Sequence, residues 1–195
     1  MVDAMIKQPS DSIAIVGERR VTLHDVTWEA YEKILEALGD NRSARLTYDD
    51  GMLEIMSPLE EHGSPNRRLE SCILILTDEL EQDVKTMGST TLNRPDLKKG
   101  SEPDSCYYIQ NEPLVRGKTV DLKQDPPPDL ILEIDITHSD INKLRLYAAM
   151  GTPEFWRYNG KVLRIYQLVE GSYQEVAVSP TFPWVSKEKF YDFLR

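Results

Sequence analysis

The segment Pro127-Pro-Asp-Leu-Ile-Leu-Glu133-Ile-Asp135-Ile-Thr137 constrains the fold more than any other part of this chain. Side chains on a strand alternate between its two faces. Leu132, Ile134 and Ile136 therefore make one face apolar, to be buried under a helix, while Glu133, Asp135 and Thr137 point the other way. A buried type of strand rarely carries two acids on one face unless something binds them. Two carboxylates about 4 Å apart repel by about 4 kcal/mol at an effective dielectric of about 20. A divalent cation, a basic side chain, a shared proton or open water must relieve that repulsion. The pattern points to a metal-dependent active site on a central strand, with Glu133 opening into a cleft. The same crowding predicts at least one raised carboxyl pKa.

Length and charge bound the alternatives. The 195 residues suffice for one domain with a real core. The division expected is a peripheral N-terminal segment over 1–24 and a single domain over 25–195. No run of about 18 apolar residues occurs, so no membrane span is expected. The sequence Met1-Val-Asp-Ala-Met-Ile-Lys lacks the apolar core of a secretion signal, which points to a cytoplasmic protein with reduced thiols. Cys72 and Cys106 have no metal-ligand spacing and read as small buried residues. A net charge of -10 excludes the broad basic field by which many proteins grip duplex DNA. Nucleic-acid contact must then use local clusters (Arg67-Arg68, Arg94 with Lys98-Lys99, Lys143 with Arg145), a bound metal, or a groove between two subunits.

Local patterns give the order of elements. Trp28 to Leu38 reads as a helix capped by Thr27 and ended by Gly39. Ala44–Tyr48 and Met52–Met56 flank Asp49-Asp50-Gly51, a hairpin signal. A polar loop over 59–65 precedes the longest helix, 66–82, with an apolar stripe at Leu69, Cys72, Ile73, Leu76 and Leu80. A strand interrupted at Gly88 spans 84–92, a polar loop 93–102, and a strand 105–110 with Asp104 at its mouth. Residues 111–128, rich in proline and charge, read as a flexible or functional loop. After the acid-bearing strand comes a short helix, 139–150, ended by Gly151, then a hairpin around Asn159-Gly160, and a terminal helix from Lys187. This order fits an α/β (α+β) protein, a mixed sheet with helices on its faces.

Which groups can join the acids? Asp129 is four residues from Glu133 along an extended chain, about 13 Å, and cannot share one ion with it. Glu133 and Asp135 are about 6.6 Å apart by the same rise and can. Asp104 can join only if its strand lies beside theirs, and its carboxylate should then stand within about 5 Å of that of Glu133. Lys143 sits in the first turn of the following helix, where it can fold back over the strand end, and Tyr147 shares its face. Its removal is expected to spare folding. His62 and His138 are the histidines nearest in sequence. Glu70 flanks the apolar stripe of the long helix.

Several motifs together resemble the Uma-type family of bacterial putative restriction endonucleases. They are Gly88-Ser-Thr-Thr-Leu, Glu102-Pro-Asp104-Ser-Cys-Tyr-Tyr, Pro128-Asp-Leu-Ile-Leu-Glu133-Ile-Asp, and Asn142-Lys143-Leu-Arg-Leu-Tyr147 through Glu154-Phe-Trp156. The resemblance spans roughly 25–185. It implies the PD-(D/E)XK superfamily and a restriction-endonuclease-like core. Pro103-Asp104 would then be the "PD" and Glu133 the central acid. The superfamily lysine two residues on is replaced by Asp135, and the resemblance shifts that role to Lys143. It offers Glu70 as an added helix glutamate and a homodimer as the assembly.

The combined expectation is a Mg2+-dependent (or Mn2+-dependent) endonuclease acting on nucleic acid, DNA in the first instance. Its catalytic residues are Asp104, Glu133 and Lys143, its metal ligands Asp104, Glu133 and Asp135, and its accessory residues Asp135, Glu70 and His62. Two alternatives differ in class: a non-catalytic binding or regulatory protein that keeps the fold, favoured by the acidic balance and Asp135, and a small-molecule hydrolase using the same cation site.

Overall fold

In the computed structural model, which describes residues 19–39, 42–57, 60–88, 90–136 and 138–194, the Thr27 hydroxyl accepts from the Ala30 N–H at 3.2 Å. It caps α1 (Trp28–Leu38), and Gly39 ends the helix at φ 65. Before it lies β1 (Arg19–Leu23), inside the segment set apart as N-terminal; it pairs antiparallel with β3. The hairpin β2 (Arg45–Asp49) and β3 (Met52–Ser57) turns through Asp50 and Gly51, both at positive φ, as a tight two-residue turn requires.

The long helix α2 (Glu60–Glu79) starts earlier than its apolar stripe suggests, and Pro65 lies inside it rather than before it. The expected interrupted strand is two strands in different sheets: β4 (Lys85–Gly88) and β5 (Leu92–Arg94). Residues 93–102 are not a plain loop. They hold a 3-10 turn over Pro95–Leu97 and β6 (Lys99–Ser101), which hairpins onto β5. Next come β7 (Ser105–Tyr108), the short α3 (Glu112–Val115), β8 (Leu130–Ile134), α4 (Lys143–Met150), β9 (Glu154–Tyr158), β10 (Leu163–Val169), β11 (Ser172–Val176) and α5 (Lys187–Leu194). The segment 111–128 is tied down: the Asp121 and Asp125 carboxylates close a turn, and Asp129 accepts from the Ile109 and Asn111 N–H groups at 2.7 and 2.9 Å.

Among the described residues the strands form two sheets. The smaller runs β1-β3-β2-β6-β5, all antiparallel, and α1 covers it through Tyr31, Tyr48, Leu46 and Leu53. The larger runs β11-β10-β9-β8-β7-β4, with β8 and β9 parallel and β8 interior, as expected of the acid-bearing strand. Alternation then sorts its residues. Leu130, Leu132 and Ile134 join Trp156, Leu69, Cys72, Ile73 and Phe190 in a core with α2 and α5. Ile131, Cys106, Phe155 and Tyr166 face Leu146, Tyr147 and Met150 of α4, with Leu92 from the smaller sheet. Glu133 shares the parity of Ile131 and so looks toward α4. Ile136 departs from expectation: it is 41% exposed, because β8 ends at Ile134 and the chain turns away toward α4.

Candidate functional site

The site forms where β7, β8 and β9 end beneath the start of α4. Ser105 pairs with Leu132, so extending this antiparallel register by one residue sets Asp104 opposite Glu133. Opposed residues on one sheet face have Cβ atoms about 5 Å apart. Asp104 is fixed from two sides. One oxygen accepts from the Ile134 N–H at 2.7 Å, and the other pairs with the Arg45 guanidinium from the smaller sheet. The strand that carries Asp104 does lie beside the strand that carries Glu133.

Lys143 is the first residue of α4, whose N-cap Asn142 accepts from the Arg145 N–H at 3.1 Å. Its ammonium reaches back to Glu133 Oε2 at 2.8 Å and Asp135 Oδ1 at 3.2 Å. Tyr147, one turn later, donates to the other oxygen of Glu133 and accepts from Ser101 Oγ, 2.8 Å away on β6. Arg157, beside Glu133 in the parallel register, holds its Nε 3.0 Å from Asp135 Oδ2. That pair is electrostatic only: its alignment is too poor for a hydrogen bond, so Asp135 Oδ2 is a buried carboxylate oxygen without an aligned donor.

Glu133 and Asp135 are nearly sealed, at 2% and 4% exposure. Glu133 therefore does not open into the cleft. The cleft wall is formed instead by Asp135, Lys143 and Arg157, around a cavity of about 420 Å³ that Asn142, Ser139 and Phe155 also line. At Asp135 the carboxyl shift is downward. Burial alone would raise its pKa, but the Lys143 and Arg157 cations outweigh burial and hold it below the ordinary value. Burial works to lower the Lys143 pKa, and Glu133 and Asp135 overcome it, so the ammonium is held above its ordinary range. Burial and the Glu133 charge both push the Tyr147 phenol well up, which keeps it a hydrogen-bond donor. Repulsion among the acids is relieved here by basic side chains, one of the outcomes open from the sequence.

The lead-in to Lys143 has its own clamp. Glu54, a lone acid in the apolar strand Met-Leu-Glu-Ile-Met, is 1% exposed. Its carboxylate accepts from the Ser139 hydroxyl at 3.0 Å and the Asp140 N–H at 3.1 Å, and pairs with Arg20. Thr22 adds a bond to Asp140 at 2.6 Å. The smaller sheet thus fixes the loop that aims Lys143.

Glu133, Asp135 and Lys143 meet, and Asp104 stands on the strand beside Glu133. Glu70 lies on α2, where its charge acts on Tyr107, a residue of the sheet face opposite Glu133. It is not brought to the acids. His138 is on the cavity rim, paired with Asp140 at 3.9 Å. The side chain of His62 and the whole of Thr137 lie outside the described residues. Arg45, Arg157, Ser101 and Glu54 were missed. Glu54 had a signal, a single charge inside an apolar strand, and Arg157 had one as a cation between Trp156 and Tyr158; Arg45 and Ser101 had none.

Do these residues suit a divalent cation? Among the described residues no group of three or more His, Cys, Asp or Glu stands ready to cage one. Mg2+ commonly needs only one or two carboxylates, with water and substrate phosphate completing its shell. Asp104 and Glu133 are hard oxygen donors on opposed strands, and Asp135 Oδ2 is a buried acceptor without an aligned donor. The donor chemistry fits.

The comparison with curated proteins finds no match. Among solved structures, the chain resembles a putative nuclease belonging to DUF820 from Anabaena variabilis, with a TM-score of 0.57 and 13% identity over 87% of this chain and 99% of that one. At that identity the likeness is one of fold. The model of the Uma2 family, described as "Putative restriction endonuclease", matches residues 28–192, most of the chain, and the protein belongs to that family.

Proposed function

We propose that the protein is an endonuclease that hydrolyses the phosphodiester backbone of nucleic acid, DNA in the first instance, with Mg2+ or Mn2+ held by Asp104 and Glu133 and aided by Asp135. One observation carries the reading: in a member of this family, Asp104 and Glu133 stand on opposed strands with the Lys143 ammonium fixed between Glu133 and Asp135. A bound cation would polarise the scissile phosphate and lower the pKa of water. Lys143 is a fixed positive charge aimed at the cleft. Protonated at neutral pH, it cannot act as a base; it donates to an attacking water or a phosphate oxygen and stabilises developing negative charge. Tyr147 and Ser101 hold Glu133 in one orientation. Arg45 holds Asp104 and is the partner a cation would replace there.

A second reading is favoured by the pairing of all three acids with basic side chains: a protein that binds nucleic acid without cutting it. The test is a nuclease assay on supercoiled, linear duplex and single-stranded DNA and on RNA, with Mg2+, Mn2+ or chelator. The expected result is metal-dependent cleavage by the parent and its loss in Asp104→Asn and Glu133→Gln. Mg2+ should also raise the melting temperature of the parent and not that of Glu133→Gln. Binding without cleavage in every metal gives the second reading. Cleavage by Glu133→Gln at the parental rate removes the site assignment.

A further inference from the structure

At the level of Glu133, one face of the larger sheet carries a row of charge. Arg157 on β9 stands beside Glu133, and Arg164 on β10 stands opposite Arg157. With Asp104 on the other side of Glu133, the order across four strands is acid, acid, arginine, arginine. At about 4.8 Å per strand spacing the row is about 14 Å long. Like charges directly opposed on neighbouring strands destabilise a sheet unless an anion offsets them. The local acids do so incompletely. Asp135 is divided between Arg157 and Lys143, and Glu175 between Arg164 at 3.1 Å and Lys187 at 3.6 Å.

Arg157 is also the wall between two cavities. One is the site cavity that Lys143 lines. The other, of about 200 Å³, is lined by Arg157, Asn159, Val162, Arg164 and Tyr166, so among the described residues its charge comes from arginine. Arg157 Nε has no aligned hydrogen-bond partner, and the Arg164 side chain is 51% exposed. Guanidinium forks match phosphate oxygens two at a time. In a chain of net charge -10, such a basic half-row is where a polyanion can approach.

We propose that Arg157 and Arg164 bind the backbone phosphate next to the one that is cut, so that a nucleic-acid strand crosses the sheet along this row. The inference rests on the nuclease or nucleic-acid-binding reading of the site and adds how the substrate lies. Arg164 touches none of the site acids, so Arg164→Gln tests the track without disturbing them. Lys161→Gln, an exposed cation on the same hairpin, removes the same charge off the row. Binding of fluorescent DNA, single-stranded and duplex, is measured by anisotropy with chelator over a salt series, with urea melts to show that both variants fold. Arg164→Gln should bind about tenfold more weakly, the loss of one charge-assisted phosphate contact. Its log–log salt slope should fall by about one, while Lys161→Gln stays near the parent. Parental binding by Arg164→Gln, or an equal loss in Lys161→Gln, overturns the track and leaves the nuclease reading standing. A parent that neither binds nor cuts any nucleic acid overturns both.

Discussion

Replacing Lys143 with methionine keeps most of its volume and removes one charge, and the structure turns this into a stability experiment. The ammonium lies 2.8 Å from Glu133 and 3.2 Å from Asp135, and all three groups are buried. Breaking a buried ion pair from one side costs about 3–5 kcal/mol, since the remaining charge is stranded. Glu133 keeps Tyr147 and Asp135 keeps Arg157, so the lower end, about 3 kcal/mol, applies. For a chain of this size that is a fall in melting temperature of roughly 6–12 °C. This loss is larger than expected of a side chain that only reaches back over the strand end, because the structure buries Lys143 between the two acids. Adding Glu133→Gln to the methionine variant should restore about 1–3 kcal/mol, because it removes a stranded charge. The two effects are read from urea unfolding of the four members of the cycle. In the methionine variant Asp135 loses the Lys143 cation that holds its pKa down, so its folded pKa rises. The variant's deficit against the parent should therefore shrink as the pH falls from neutral toward the ordinary carboxylate range. Melting within about 2 °C of the parent, or strict additivity in the cycle, would refute the buried triad as the reason for this lysine.

The parental pH profile follows from the same groups. Asp135 and Asp49 are held below the ordinary 3.8, in each case because neighbouring cations outweigh burial: Lys143 and Arg157 for Asp135, Lys99 and Arg145 for Asp49. Their contribution is present above that value and is lost as pH falls through the depressed one, so the urea midpoint should hold down to the ordinary carboxylate range and drop below it. Lys143 is held above its ordinary 10.5, so its contribution is intact below that pH and lost above it; the methionine variant should lack that alkaline loss. Burial pushes the Cys72 thiol up to about 11 and, with the Glu133 charge, the Cys106 thiol up to about 12. Neither should react with a disulfide reagent near neutral pH until the chain is unfolded, and rapid labelling of the native protein would contradict their burial. Gly100→Ala should destabilise by about 1–3 kcal/mol, because a Cβ there would sit 2.7 Å from Tyr31 Cζ and Asn93 Oδ1. Unchanged thermal unfolding would show that the Tyr31 ring yields freely.

Local sequence determined what depends on near neighbours. The Thr27 cap, the Asp50-Gly51 and Asn159-Gly160 turns and the Gly151 stop are set by a few residues' φ preferences and hydrogen bonds, and each was legible. The period-2 pattern of Leu-Ile-Leu-Glu-Ile placed Glu133 on the face away from Leu132 and Ile134, and the helix expected over 139–150, which in the structure starts only at Lys143, was placed so that Lys143 could fold back on that face. Periodicity could not show that this face is also covered, because a strand between two layers and a strand facing water share one alternation. Only tertiary structure decided that. Some supports of the site come from far along the chain: Arg45 reaches Asp104 from 59 residues away, and Glu54 fixes the Asp140 N–H from 86. The split of 84–94 between two sheets and the start of α2 before Pro65 are likewise settled by what each segment packs against. The acids and the nearby Lys143 were written in the sequence as a strand pattern and a helix start; the counter-charge of Asp104, Arg45, was not, because ion pairing depends on distance in space and carries no period along the chain.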